Sequence, residues 1–98
     1  MMAAMDPNLR KLAVLAHRGG LMLKQKFGGP AITVYARGAE LTGFMWPFAK
    51  WKEHMQAFHD VTVDEVTEGE YLFLASSLGG PVTCVRVDTV DAWLLPNT

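Results

Sequence analysis

Ninety-eight residues, half of them hydrophobic and 19% charged, suffice for one core and read as a single α+β domain over residues 1–98, not as a disordered chain. No apolar run approaches the ~18–20 residues of a membrane span. The net charge of −1 hides a division: residues 1–37 carry six Lys/Arg against Asp6, a balance of +5, and residues 38–98 carry three against nine acids, a balance of −6. Such a division can hold the two halves of a chain together, drive head-to-tail assembly, or present a basic face to an anionic partner.

The N-terminal stretch from Asp6 to Pro30 is the longest periodic segment and holds five of the nine Lys and Arg residues. Leu9, Leu12, Ala13, Ala16, Gly20, Leu23 and Phe27 recur at helical spacing. Asp6 suits an N-cap, Pro7 the first helical position, and Gly28-Gly29-Pro30 a stop. The reading adopted is one long helix. Gly19-Gly20 in its middle argues for an alternative: a helix ending near Arg18, then a strand from Leu21 to Phe27.

The polar arc of this helix is where a site is expected. Arg10, His17 and Lys24 lie seven apart, as do Lys11, Arg18 and Gln25, and the two stripes flank Val14 and Leu21. Arg10, Lys11, Val14, His17, Arg18, Leu21 and Lys24 therefore form a candidate partner-binding face, with an apolar centre and a cationic rim. The competing reading is a helix buried nearly all round, its Lys and Arg stems covering apolar surface.

Ala31 to Arg37 alternates as a strand, Gly38-Ala39 suits a turn, and Leu41 to Trp46 suits the returning strand, though Gly43 weakens it. Pro47 opens a second helix to about His59, with Phe48, Trp51, Met55 and Phe58 as its core face and Trp51 as the anchor. Between Asp60 and Gly69, Thr62 and Glu65 have capping-box spacing, which suggests a helical turn over 63–67. A strand over 61–67 is the rival. Glu70 to Ser76 reads as a central strand, 77–80 as a loop, and Pro81 to Asp88 as a further strand. Thr89 to Leu95 reads as a helical turn or edge strand that docks Trp93. The whole predicts two helices on a mostly antiparallel sheet of four or five strands, with a small partly closed barrel in the C-terminal half as a variant.

No residue set carries recognisable catalysis, so no enzyme, cofactor or metal is expected. His54 and His59 are five apart, about 140° around a helix, and one cysteine makes no zinc spacing. Cys84 falls mid-strand, where a buried inert thiol is expected. The apolar run Leu12 to Ala16 is too short for a secretory signal, and with a single cysteine this points to a cytoplasmic location. The preferred function is a small non-enzymatic module that binds a protein partner with an acidic surface and regulates or inhibits it, a form common among accessory proteins of phages and mobile elements. Two alternatives stand beside it. One is a homo-oligomeric subunit joined by the basic helix and the acidic 60–70 segment. The other is nucleic-acid binding, with Tyr35 beside Arg37 on a strand available to stack a base.

Overall fold

The computed structural model describes residues 6–19, 30–76 and 81–95. Helix α1 runs over Pro7–His17 and stops there. Arg18 keeps helical angles, Gly19 turns left-handed at φ 82°, and its amide closes onto the Ala16 carbonyl at 3.0 Å. This overturns the single helix through Gly19-Gly20. Two adjacent glycines cost about 2 kcal/mol relative to alanine in a helix interior, and glycine closes a helix at no steric cost. The alternative strand from Leu21 to Phe27 lies outside the described residues.

Strands β1 (Ala31–Ala36) and β2 (Ala39–Trp46) form a hairpin in which Ala36 faces Ala39. The turn is Arg37-Gly38, one residue earlier than the sequence suggests. Both residues have positive φ, 51° and 83°, as the two-residue hairpin turn that follows strand twist requires. Helix α2 (Phe48–His59) begins after Pro47, as expected, and ends on Asp60 at φ 52°. Residues 61–67 are neither helix nor strand. Thr62 gives its hydroxyl to the Gln56 side chain at 2.9 Å instead of capping a helix, and the poor apolar alternation there cannot hold a strand. Strand β3 (Tyr71–Ala75), strand β4 (Val82–Arg86), the 3-10 turn η1 (Val87–Thr89) and strand β5 (Val90–Leu94) follow among the described residues.

All four strand pairings are antiparallel, in the order β4-β3-β2-β1-β5. Gly43 lies inside β2, where it lowers strand preference, for a packing reason. A Cβ there would stand 3.0 Å from the Leu74 Cβ and 3.1 Å from the Ala75 carbonyl oxygen, so its absence lets β3 approach. Among the described residues β4 and β5 are the two edges, yet the short η1 joins them. Four residue steps reach about 14 Å, whereas four strand spacings on a flat sheet span about 19 Å. The sheet must therefore curl until its edges approach. It is not closed into a barrel, because β5 pairs with β1 and has no ladder to β4.

Strand register sorts the side chains onto two faces. Ile32, Val34, Met45, Leu72, Leu74 and Val85 share one face and form a core with Leu9, Ala13 and Ala16 of α1 and Val87 of η1. Trp46, Phe73 and Ala75 share the other, with Phe48 of α2 and the half-buried Trp51, Val63 and Val66. Phe73 is the anchor here. It is 1% exposed and its ring stacks on Trp51 with 4.6 Å between centroids. Met55 is half-buried, and Phe58 departs from the expected core face altogether, at 75% exposed near the end of α2.

Candidate interaction surface

α1 owes its start to Asp6, whose Oδ1 accepts from the amides of Asn8 and Leu9 at 2.8 and 3.3 Å. These bonds satisfy two donors that a helix start otherwise leaves open. With Leu9, Ala13 and Ala16 turned into the core, the opposite stripe is Asn8, Lys11, Leu15 and Arg18. These positions recur at three and four residues and so line one side of the helix. Leu15 is 45% exposed between the two cations.

The seven predicted residues are distributed differently from the sequence expectation. Arg10, Lys11 and Arg18 are exposed. Val14 is half-buried, and its place among the basic residues has an internal reason: the turn at Gly69 lies against it. A Cβ on Gly69 would come within 3.0 Å of Val14 Cγ2 and 3.1 Å of Arg10 Cγ. His17 faces inward and stacks on Phe48, with ring centroids 5.0 Å apart and planes within 4°. Leu21 and Lys24 lie outside the described residues. Leu15 belongs to the exposed stripe but not to the predicted set. The available signal was its spacing, four residues after Lys11 and three before Arg18.

Charge on this side is partly spoken for. Arg18 grips Glu68 with a two-pronged contact, Nε to Oε2 and a second nitrogen to Oε1 at 3.1 Å. Those hydrogen bonds hold the Glu68 carboxyl below its ordinary range, and Glu68 in turn raises the Arg18 guanidinium. Lys52 meets Glu65 at 3.1 Å. Arg18–Glu68 thus joins the basic N-terminal half to the acidic 60–70 segment within one chain, while Lys52–Glu65 lies inside the C-terminal half, and exposed pairs of this kind add little stability. Arg10 and Lys11 form no ion pair among the described residues.

Elsewhere the surface shows a shallow apolar groove between one flank of α2 and the segment that follows it, lined by Ala49, Lys52, Glu53, Gln56, Ala57 and Val61. His54 and His59 approach more closely than helical spacing suggests, with ring centroids 5.7 Å apart. Among the described residues no group of three His, Cys, Asp or Glu is placed to hold a metal. Cys84 is exposed on edge strand β4 and not buried as expected, because this edge position leaves its side chain open on one side. Partial desolvation still pushes its thiol up, away from the reactive thiolate. Arg37 leaves β1 for the hairpin turn, and Tyr35 faces Glu40 across the ladder. No helix among the described residues is long and apolar enough to cross a membrane. No protein-family model, curated protein or solved structure matches the chain.

Proposed function

We propose that this chain is a small non-enzymatic protein-binding module that docks an acidic partner through the exposed stripe of α1 and thereby regulates or inhibits it. The observation that carries the reading is Leu15, 45% exposed, held between Lys11 and Arg18 on a helix whose other side is fixed in the core. An apolar centre with a charged rim is the composition of a docking site, and a rigid helix presents it with little ordering entropy to lose. Arg10 widens the cationic rim on the flank beside Gly69. Arg18 keeps charge toward the partner only in part, because Glu68 shares it.

The test is capture from a lysate of the native source by the immobilised chain, repeated with Leu15→Glu and with Lys11→Glu. Both positions are exposed, so circular dichroism should show unchanged folding. Loss of the captured protein in both variants supports the reading. Undiminished capture by folded variants places the interface elsewhere.

A further inference from the structure

We propose that the Asp6 carboxylate is a latch that makes the first turn of α1 and edge strand β5 open and close together. Its two oxygens have different work. Oδ1 accepts from the Asn8 and Leu9 amides and starts the helix, while Oδ2 accepts from the Trp93 indole N–H at 2.8 Å, 87 residues along the chain. The latch does not depend on which partner α1 binds.

β5 is the strand most in need of such a tie. Among the described residues it ladders with β1 alone, and the register slips between Tyr35 and Ala36, so that Asp91 is left out of the pairing and turns its carboxylate to the Arg37 amide at 3.3 Å. Leu94 and Leu95 are 46% and 47% exposed, so the end of the strand buries little. Val90 and Trp93 are its apolar holds on the α1 side of the sheet. Lifting β5 withdraws the indole from Asp6 and leaves the cap less restrained. Unwinding the first turn swings Asp6 away and leaves Trp93 without its acceptor. Each event removes part of the other's constraint, which is positive coupling carried by one side chain. The opened state uncovers the edge of β1 from Thr33 to Ala36, a row of backbone groups able to pair with another strand.

Hydrogen exchange followed by NMR on the full chain tests this, using Trp93→Phe and Asp6→Ser. Phenylalanine keeps an aromatic ring but loses the donor and the pyrrole part of the indole, so the unchanged β3 amides serve as the control for lost packing. Serine keeps an N-cap oxygen but is too short to reach the indole. Trp93→Phe should speed exchange of the first-turn amides of α1, and Asp6→Ser should speed the β5 amides paired with β1. Each should change about threefold or more, the scale of one lost hydrogen bond, with β3 amides unchanged. Acceleration confined to the mutated element overturns the coupling. So does an equal acceleration of every amide, which would report general destabilisation.

Discussion

Phe73→Ala and Phe58→Ala remove the same side chain from two places and should have opposite consequences. Phe73 is 1% exposed. Its ring stacks on Trp51 at 4.6 Å and meets Phe48 at 5.7 Å. Deleting a buried phenylalanine costs about 3–5 kcal/mol from lost transfer and the cavity left behind. Aromatic contacts add about 0.5–1.5 kcal/mol each beyond burial, without simple additivity. The upper part of the range, about 4–5 kcal/mol, is therefore expected. A domain of this size has about 5–15 kcal/mol in total, so the variant should be folded only marginally. Phe58 is 75% exposed and its alanine variant should change stability by less than about 0.5 kcal/mol. Urea titration followed by tryptophan fluorescence reads both, as a shift of midpoint at unchanged slope. A loss at Phe73 below about 2 kcal/mol, or a loss at Phe58 equal to it, would refute the assignment of the second core.

Gly43→Ala should destabilise by about 1–2 kcal/mol in the same titration. The strain of pushing β2 from the Ala75 backbone exceeds the roughly 0.5–1 kcal/mol gained by restricting the unfolded chain. Arg37→Asn should raise the melting temperature slightly, since Arg37 holds φ 51° at a turn position where asparagine is favoured; a lower melting temperature would contradict the turn assignment. Acid should weaken the fold through Asp6 and Glu68. Both carboxyls lie below their ordinary values, Asp6 chiefly through the Trp93 hydrogen bond and Glu68 chiefly through Arg18. Their stabilisation is complete above the unfolded carboxylate range and is lost as pH falls through the lowered folded values. Melting temperature should be flat from neutral pH to about 5 and then fall, and Asp6→Ser combined with Arg18→Gln should blunt that fall.

The elements visible in the sequence were those whose signal is local. The Asp6-Pro7 start of α1, the Pro47 start of α2 and the apolar run Tyr71-Leu72-Phe73-Leu74 of β3 all carry their reasons within a few residues. What could not be read depends on residues far apart. Gly43 looks like a strand breaker until β3 lies against it. Val14 looks like an exposed apolar residue until the Gly69 turn covers it. Phe58 completes the helical periodicity of Phe48 and Trp51, but it sits near the end of α2, where periodicity continues and burial does not. The curl of the sheet follows from the shortness of η1, which has meaning only once β4 and β5 are known to be opposite edges. The candidate stripe was displaced by one residue for the same reason. Helical spacing defines which residues share a side, but the core contacts of Leu9, Ala13 and Ala16 decide which side faces out.

The most direct test of the docking surface is the affinity of the captured partner for purified wild type, Leu15→Ala and Phe58→Ala, measured by titration calorimetry. Burial of Leu15 at the centre of the contact predicts at least a tenfold rise in Kd for Leu15→Ala, about 1.4 kcal/mol, and less than a twofold change for Phe58→Ala. An unchanged Kd for Leu15→Ala, with a rise for Phe58→Ala, would contradict the α1 surface and assign the contact to the outer side of α2.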